Sequence, residues 1–597
     1  MLARCYVPLL IAGFFCSTTW VSAARADDAP EKGKLIKKVS VAAIELKGAL
    51  PETNTHVGLF AEMEPSLRDM AEWLEKAAKD KNISAVVLRI RSPQIGRGKI
   101  NELRAAVAKV RKSGKKVYAD LQMAMPGDYL LATACDEIVM PESGTLVLPG
   151  VRAEMQFFKN LLEKLDIRAD ILQVGKFKGA GEPLTQSEMS DELRAQMQGL
   201  IDDVYSQMVE TIAADRKLKP EDVQKLLDQG MFSATQAKEA GLIDRIAYED
   251  ELRVAIQGAL DATELSVVGN YGKKKLDTDF SGFTGLIKLI KVLSGEEDAT
   301  LSLARHKIAV VYAVGAIMPG ESEQGLFGGG TLGGDTIVKA IREAEKDDKV
   351  KAIVLRVDSP GGSAMASDVI WREVVRCKKP VVASMGDVAA SGGYYISMGA
   401  KKIYAEPGTL TGSIGVVGGK LAVGGLMGKV GINTSVVSRG KNSGIFSMNE
   451  PFSDSEKVSM QKLMQDTYHQ FTSKAATGRK MELDKLQGLA EGRVYTGVQA
   501  KANGLVDEVG TLGDAIAESR KLAGIPEGEK AELLILPKPK SFFEQLMDGP
   551  EVEARVTQRV KRALPEGVTG PLADVELLQA LFREPTLTVL PYTIRIR

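Results

Sequence analysis

A single serine lies among small residues in the stretch GDVAASGGYY, which runs from Gly386 to Tyr395. These neighbours leave the hydroxyl of Ser391 unshielded and allow another backbone to approach it closely. A serine hydroxyl in such a place can attack a carbonyl carbon if a base stands beside it. Serine is also among the residues that most often cap helix N-termini. Ser391 is therefore predicted to be either a nucleophile or a helix cap, and the rest of the chain has to separate the two.

A serine nucleophile needs a general base, and histidine is scarce in this sequence. The three histidines, His56, His306 and His469, lie far in sequence from the motif around Ser391. A neutral lysine is the natural substitute. The ordinary pKa of lysine is about 10.4, so its amine must be desolvated, or placed near positive charge, to lose its proton near neutral pH.

The sequence contains two copies of one unit. Four pairs of segments recur in the same order about 265 residues apart, which indicates an internal duplication. The pairs are VSVAAIELKGALPE (from Val39) with IAVVYAVGAIMPGE (from Ile308), AVVLRIRSP (from Ala85) with AIVLRVDSP (from Ala352), GDYLLATACDEIVMPESGTL (from Gly127) with GGYYISMGAKKIYAEPGTL (from Gly392), and QAKEAGLID (from Gln236) with QAKANGLVD (from Gln499).

Each copy carries one half of a serine–lysine pair. Alignment of GDYL with GGYY places Pro126 opposite Ser391, and alignment of QVGKFKGAGEP with SRGKNSGIFS places Lys178 opposite Ser443. One copy thus offers the serine without the lysine, and the other offers the lysine without the serine. This pattern is expected if a site once present in both copies now survives as a single shared site. The small and apolar residues around Lys178 would permit its burial.

Two alternatives to Lys178 as the base remain open. Lys176 and Lys441 occupy matching positions in the two copies, which favours a structural role for both. Lys441 is nevertheless the best rival base, because it belongs to the same copy as Ser391. Most lysines are solvated surface groups, so Lys178 could also be one of these. The complementary losses in the two copies favour the functional interpretation.

A nucleophile also needs donors for the negative charge of a tetrahedral intermediate. In RVDSPGGSA a strand ends and the chain turns at Gly361 and Gly362, where backbone N–H groups can face a ligand without interference from side chains. The second donor would be the amide of Ser391 or Gly392, at the start of the next helix. The N-terminal copy has Gln94 and Ile95 in place of the two glycines, so it lacks this turn as well as the serine.

Apolar runs rich in Val and Ile alternate with helical patterns in each copy, for example KAIVLRVDSP, SDVIWREVVRC and PVVASM. This alternation predicts parallel strands joined by right-handed helical crossovers, and therefore an α/β fold. An amphipathic patch at 286–293 favours a helix packed on its own protein over a membrane-surface helix. The expected organisation is a signal peptide or membrane anchor at 1–26, an N-terminal repeat at 37–262, a linker at 263–304, a C-terminal repeat at 305–530 and a C-terminal extension at 531–597.

Composition excludes several classes of partner. The 597 residues include 78 basic and 78 acidic side chains, so no net charge favours nucleic acid. Cys5 and Cys16 lie in the leader, while Cys135 and Cys377 show neither a disulfide framework nor metal-ligand spacing. No cofactor or metal is therefore expected.

The N-terminus carries an apolar run before an A-x-A-like site at 24–26. This pattern is typical of an export signal or of a short anchor, and either predicts a place outside the cytoplasm.

Together these motifs resemble the signal peptide peptidase A family, also called protease IV, in its long duplicated bacterial form. The resemblance spans residues 37 to 530 and is carried by DSPGG, GDVAASGGYYIS, GTLTGSIGV, GKFKGAGEP and the paired QAK segments. It implies two tandem ClpP/crotonase-like domains, with Ser391 as nucleophile and Lys178 as general base. Ser413, in TGSIG, would hold the lysine amine in place. The oxyanion donors that the resemblance implies are Gly361 or Gly362, together with Gly392.

The resemblance further implies a bowl-shaped homo-oligomer, a tetramer, at the periplasmic face of the cytoplasmic membrane. Its substrates would be cleaved signal peptides and other short extended peptides. The cleavable-looking leader and the tail beyond residue 537 depart from the family pattern, and they leave membrane attachment and substrate entry open. Two other functions remain as alternatives. A crotonase-type acyl-CoA enzyme would share the glycine-built oxyanion hole but would not use Ser391, and a non-catalytic peptide-binding scaffold would not react with serine-directed electrophiles.

Overall fold

The computed structural model describes residues 37–53, 65–269, 271–273, 305–324, 330–436, 438–439, 441–538 and 587–589. The expected leader at 1–26, the amphipathic patch at 286–293 and most of the expected C-terminal extension lie outside these ranges. Across the described ranges, no helix combines the length and the apolar character needed to cross a membrane.

The N-terminal repeat alternates strands and helices along most of its length. Its strands are β1 (Lys38–Ala49), β2 (Ile83–Gln94), β3 (Lys116–Leu121), β4 (Met123–Ala124), β5 (Glu137–Met140), β6 (Thr145–Leu148), β7 (Arg168–Val174), β8 (Gly230–Ser233), β9 (Arg245–Ile246) and β10 (Glu264–Val268). Its helices are α1 (Leu67–Lys79), α2 (Arg97–Lys112), α3 (Pro126–Ala132), α4 (Lys159–Lys164), α5 (Glu182–Thr185), α6 (Asp191–Arg216), α7 (Pro220–Gln229), α8 (Ala234–Glu239) and α9 (Glu249–Ala259).

The C-terminal repeat follows the same scheme. Its strands are β11 (His306–Val314), β12 (Ala316–Met318), β13 (Glu323–Gln324), β14 (Gly330–Gly333), β15 (Val350–Ser359), β16 (Gly361–Ser363), β17 (Val381–Ala390), β18 (Lys402–Ala405), β19 (Leu410–Gly412), β20 (Val416–Ala422), β21 (Val494–Thr496), β22 (Glu508–Val509) and β23 (Ala531–Leu536), and the extension adds β24 (Leu587–Val589). Its helices are α10 (Gly334–Lys346), α11 (Ala364–Arg376), α12 (Gly392–Ser397), α13 (Gly424–Lys429), α14 (Asp454–Arg479), α15 (Leu483–Leu489), α16 (Gly497–Asn503) and α17 (Leu512–Leu522).

The main sheets of the two repeats have the same topology. Among the described strands, the N-terminal order is β10-β1-β2-β3-β5-β9, and the C-terminal sheet contains the equivalent path β23-β11-β15-β17-β18-β22, with every pair in both paths parallel. The predicted α/β fold with an internal duplication is thereby confirmed. β10 and β23 lie just past residues 262 and 530, so each sheet takes an edge strand from the segment that follows the sequence repeat.

Matching local signals form matching helices in the two repeats. The long helices α6 and α14 both start after a serine, Ser190 or Ser453, whose side chain accepts a hydrogen bond from the backbone of the first turn. Both end at a lysine in the left-handed conformation, Lys217 or Lys480. The same capping chemistry therefore sets the ends of the corresponding helix in each copy.

A further sheet joins the two repeats. Its order in the described chain is β13-β14-β12-β16-β24-β20-β7, and β7 is the strand contributed by the N-terminal repeat. β7 pairs antiparallel with β20, from Val416 opposite Val174 to Ala422 opposite Arg168. The segment that carries Lys178 follows β7 directly, so this pairing delivers it to the C-terminal repeat.

Helix α6 strengthens the same junction by apolar packing. Its buried Leu193, Met197 and Leu200 form one cluster with Ala390, Leu410 and Val494 of the C-terminal repeat. Full burial of a side chain of this size contributes about 1.5–3 kcal/mol. Ala390 directly precedes Ser391, so this interface supports the strand that holds the serine.

Candidate active site

The lysine loop, residues 175–178, packs directly on the backbone of the C-terminal repeat. The Phe177 amide donates to the carbonyl oxygen of Glu491 at 2.9 Å. A Cβ at Gly492, which has φ +82°, would lie 2.6 Å from the backbone nitrogen of Lys178. Only glycine allows this approach. Comparison of the repeats does not identify Gly492, because nothing in the local sequence EGRVYTG shows which loop will lie against it.

The amine of Lys178 lies at hydrogen-bond distance from two serines of the C-terminal repeat. Its Nζ is 2.7 Å from Oγ of Ser391, 2.8 Å from Oγ of Ser413 and 2.8 Å from the carbonyl oxygen of Ser413. All three side chains are fully buried, with 0 % of their surface exposed. The structure thus brings together the three residues that the sequence analysis names as nucleophile, base and support for the amine.

Burial controls the charge of this lysine. Loss of hydration holds the pKa of Lys178 well below its ordinary value, because the ammonium is penalised and the neutral amine is not. The three hydrogen-bond partners of the amine are neutral oxygens, which favour the ammonium less than a carboxylate would. A neutral amine beside a serine hydroxyl is the arrangement that general-base catalysis requires.

Ser391 occupies a strained turn between β17 and α12. Its φ of 54° and ψ of −111° lie outside the regions that a non-glycine residue normally adopts. Within the described chain, its side chain makes no capping hydrogen bond to α12. The helix-cap interpretation of the hydroxyl is therefore wrong, and Oγ is directed to Lys178 instead.

Ser413 is held in a second turn with positive φ, 51°, directly after β19. Its amide donates to the carbonyl oxygen of Arg493 at 2.6 Å, which fixes the turn against the segment that also contacts the lysine loop. Its carbonyl oxygen and its Oγ both face the amine of Lys178. Ser413 is thus placed to orient the lone pair of a neutral Lys178 toward Ser391.

The glycine turn and the start of α12 meet backbone to backbone. A Cβ at Gly362 would lie 2.0 Å from the carbonyl oxygen of Ile317, and a Cβ at Gly393 would lie 2.5 Å from that of Ser359. A side chain at Gly393 would push α12 away from the glycine turn, and one at Gly362 would push the turn away from β12. The small residues on which the sequence analysis relied are therefore required by close packing.

The hydrogen bonds narrow the choice of oxyanion donors. The Ser391 amide donates to the carbonyl oxygen of Gly412 at 2.8 Å, so the expectation that this amide faces an oxyanion is wrong. The Gly361 amide donates to Oγ of Ser359 at 3.2 Å. Gly392 is the first residue of α12, a position at which the helix itself supplies no acceptor. Of the two amides at the start of α12, that of Gly392 is therefore the candidate oxyanion donor.

The rival lysines lie at the surface. The side chain of Lys441 is exposed, and that of Lys176 is 57 % exposed with its Nζ 4.0 Å from the Glu491 carboxylate. Ser443, the counterpart of Lys178, is exposed as well. The geometry therefore favours Lys178 over both rivals as the partner of Ser391.

A strand from the C-terminal extension lies beside this constellation. β24 runs antiparallel to β16, with Val589 opposite Gly361 and Thr588 opposite Gly362. On its other side, Leu587 is opposite Val417 of β20. An extended backbone thus fits between the glycine turn and the strand that follows Ser413.

Comparison with known proteins gives consistent matches. The sequence model of peptidase family S49 matches residues 109–262 and 373–526, and that of Clp protease matches residues 334–409. The chain is 34% identical to "Serine protease SPPA, chloroplastic" of Arabidopsis thaliana, over 86% of this chain and 74% of that protein. It is 32% identical to "Protease 4" of Salmonella typhi, over 87% and 82% of the two chains, and 32% identical to "Protease 4" of Haemophilus influenzae, over 70% and 66%.

Proposed function

The chain belongs to peptidase family S49 and is a serine protease of that family, and from this premise we propose that it cleaves peptides with a dyad of Ser391 and Lys178. The observation that carries the proposal is the 2.7 Å contact between Nζ of the fully buried Lys178 and Oγ of Ser391. Each repeat supplies one member of the pair, which is consistent with the complementary losses in the sequence.

In the proposed reaction, Oγ of Ser391 bonds to the peptide carbonyl carbon while its proton passes to the neutral Nζ of Lys178. The carbonyl electrons move onto the oxygen, where the amide of Gly392 stabilises the charge. Gly361 or Gly362 supplies the second amide, and Gly361 does so only by releasing Oγ of Ser359. The carbon–nitrogen bond then breaks, and the leaving amine takes the proton from Lys178. Water next gives a proton to Lys178 as it adds to the ester, and collapse releases the acid and returns the proton to Ser391.

The proposed substrates are extended peptides, among them cleaved signal peptides. The pairing of β24 with β16 and β20 supports this, because a backbone without helical structure is hydrogen-bonded beside the dyad. On the β16 side this position is formed by the small residues Gly361, Gly362 and Ser363, which suits chains of varied sequence. The match to relatives named as proteases disfavours an acyl-CoA enzyme.

We further propose that the chain acts outside the cytoplasm, in association with the membrane, as a homo-oligomer with tetramer as the expected form. The proposed location rests on the leader at 1–26 and on the resemblance.

The proposed assembly is supported by a comparison of the two repeats. β7 aligns with residues 433–439 of the C-terminal repeat, and β20 aligns with residues 151–157 of the N-terminal repeat. Neither 433–436 nor 151–157 is part of a strand. Joining these segments between two copies would repeat the β7–β20 contact. Light scattering that gave a monomer mass would contradict the assembly, and recovery of the chain in the cytoplasmic fraction would contradict the location.

Covalent labelling tests the proposed function. We expect a fluorophosphonate probe to modify the wild-type chain at Ser391, and casein and a synthetic signal peptide to be cleaved. The labelling rate should rise with pH, because the neutral fraction of Lys178 increases as its proton leaves. Since burial lowers the pKa of Lys178, the rise should be complete at a lower pH than for an exposed lysine. Mass spectrometry of the labelled peptide gives the site.

The heat-denatured chain serves as the control for labelling. A labelling rate that stays flat from the acid limit of the folded state up to about pH 10 would contradict a lysine base. A non-catalytic scaffold would give neither labelling nor cleavage. Labelling at a serine other than Ser391 would leave the family intact but would overturn the proposed dyad.

Deletion of residues 539–597 tests the proposed position of the substrate. Because β24 lies between β16 and β20, its removal should free that position and lower KM several-fold while kcat stays unchanged. Initial rates on a fluorogenic peptide give both constants. Thr588→Pro is the matched variant of full length, since proline removes one N–H from the strand. An unchanged KM in both variants would contradict substrate binding between these strands.

A further inference from the structure

Two carboxylates of the C-terminal repeat flank the backbone of the proposed site. Asp358 stands in β15 directly before Ser359 and the glycine turn. Asp387 stands in β17, four residues before Ser391. Each carboxylate therefore belongs to one of the two segments whose spacing sets the oxyanion donors against the nucleophile.

A lysine of the N-terminal repeat reaches both carboxylates. Nζ of Lys99, in the first turn of α2, is 3.3 Å from Oδ2 of Asp358 and 3.7 Å from Oδ2 of Asp387. The three side chains are 13–18 % exposed, so water screens these pairs much less than it screens a surface pair. Asp358 also accepts a hydrogen bond from the amide of Val388 at 3.1 Å, which links β15 to β17.

The start of α2 is built for this contact. The amides of Gly96 and Lys99 donate to the two oxygens of Asp387 at 3.2 and 3.0 Å, so that carboxylate caps a helix of the opposite repeat. A Cβ at Gly96 would lie 2.3 Å from Cγ of Asp387, and a Cβ at Gly98 would lie 2.8 Å from the carbonyl oxygen of Gly386. The glycines of the sequence GRGK therefore let the helix end, and Lys99 with it, approach β17.

None of the three charged residues has a like-charged counterpart at the aligned position of the other copy. Aligned positions in the opposite repeat carry Arg91 for Asp358, Gln122 for Asp387 and Ala366 for Lys99. Thus the cation survives only in the N-terminal copy and the two carboxylates only in the C-terminal copy. The same division separates Lys178 from Ser391.

We propose that Lys99 is a positioning residue for peptide hydrolysis: by bridging Asp358 and Asp387, it fixes the spacing between the glycine turn and Ser391. It acts through these carboxylates and does not touch the reacting atoms. This proposal rests on the proposed dyad. The N-terminal repeat would then contribute the base and also the cation that holds the C-terminal half of the site together.

The bridge between Lys99 and the two carboxylates depends on pH, because its groups titrate. Burial raises the pKa of Asp358 to about 6, with Lys99 opposing the rise and Asp387 and Glu52 adding to it. Burial lowers the pKa of Lys99, but Asp358, Asp387 and Glu52 outweigh it, so that pKa is raised. Lys99 therefore stays charged at neutral pH, and its pair with Asp358 is lost as the pH falls through about 6. Without Lys99, the pKa of Asp358 should rise further.

Steady-state kinetics on a fluorogenic peptide test the proposal. We expect Lys99→Met to lower kcat about 10- to 100-fold with KM within about twofold, because a small misplacement of catalytic groups costs about this much. Lys99→Arg should recover most of kcat, since the positive charge is kept. The loss of activity that follows protonation of Asp358 should be seen in the wild type and be absent from both Lys99→Met and Lys99→Met/Asp358→Asn, because neither variant has the bridge to lose. Lys112→Met, at the exposed end of α2, is the matched control.

The double variant also covers failure of Lys99→Met to fold, because it leaves no unpaired Asp358 charge. A folded double variant with wild-type kcat would overturn the proposal. So would a Lys99→Met protein that melts at a lower temperature but keeps the wild-type kcat and pH profile. Fluorophosphonate labelling of the wild type separates the two hypotheses: an unlabelled Ser391 counts against the dyad, whereas a labelled Ser391 with unaffected Lys99 variants counts against Lys99 alone.

Discussion

Replacement of Ser391 by alanine is expected to reduce peptide hydrolysis by at least about 10³-fold and to leave the fold intact. The Oγ atom lies 2.7 Å from the amine of Lys178, and it is the atom at which the proposed reaction forms the acyl-enzyme. The oxyanion donors and the substrate-binding strands would remain, so a small residual rate is expected. Alanine has the same Cβ as serine, so it adds no backbone strain to the turn. Initial rates at saturating peptide measure the loss.

Ser519→Ala is the matched control for this variant. Ser519 is also a fully buried serine, but it lies on α17 and its Oγ donates to the carbonyl oxygen of Ala515 at 2.9 Å. Loss of one such hydrogen bond costs about 1 kcal/mol of stability, and it should leave kcat unchanged. If Ser391→Ala kept more than about one hundredth of the wild-type rate, a serine nucleophile at this position would be contradicted. Removal of the nucleophile of a serine protease usually lowers the rate far more than this.

The proposed division of the site between two repeats could be inferred from the sequence alone. The separate losses of serine and lysine at aligned positions require no knowledge of the fold. Neither does the duplication, and it predicts that the copies share one topology. The parallel strand order confirms this part of the prediction.

The route by which the lysine reaches the serine could not be predicted. β7 leaves its own repeat and pairs with β20, and such a strand pairing between distant segments has no local signal in either sequence. The need for glycine at position 492 could not be predicted either, because it arises only from the close approach of the lysine loop. Long-range backbone contacts decide both features, and periodicity and spacing do not report them.

The helix-cap alternative for Ser391 shows a second limit of prediction from residue type. Serine before a helix usually caps it, and residues such as Ser190 and Ser453 do so here. At Ser391 the backbone adopts φ 54°, which turns the side chain away from the first turn of α12. Residue type predicts the position at the helix start, while the strained turn decides what the hydroxyl contacts.

Replacement of Lys178 by methionine is expected to abolish peptide hydrolysis to a similar extent, a loss of at least about 10³-fold. Methionine has a comparable length and fills the same buried space, but it cannot take a proton from Ser391. Lys178→Arg should be inactive too, because a guanidinium stays charged and cannot act as a base. If a positive charge alone were needed, arginine would restore activity, so the pair of variants separates a base from an electrostatic role.

The stability of Lys178→Met gives an independent check on the buried amine. The folded-state pKa of Lys178 is lowered, so between its folded and unfolded pKa values the unfolded chain binds more protons at this site. The free energy of unfolding of the wild type therefore falls as the pH drops through that window, and the methionine variant lacks this loss. We expect the variant to melt at or above the wild-type temperature near neutral pH, with the difference shrinking toward the ordinary pKa of lysine.

Lys441→Met and Lys176→Met are the controls, since both lysines are exposed. The change at Lys176 also removes the 4.0 Å pair with Glu491 and the contact over the Phe177 ring. Both should keep kcat and the wild-type melting temperature. An active Lys178→Met together with an inactive Lys441→Met would place the base within the C-terminal repeat and overturn the division of the site. An inactive Lys178→Met that melts far below the wild type would instead mean that the amine holds the two repeats together. Inactivity with unchanged or higher stability is therefore the combination that identifies Lys178 as a base placed at a cost to the fold.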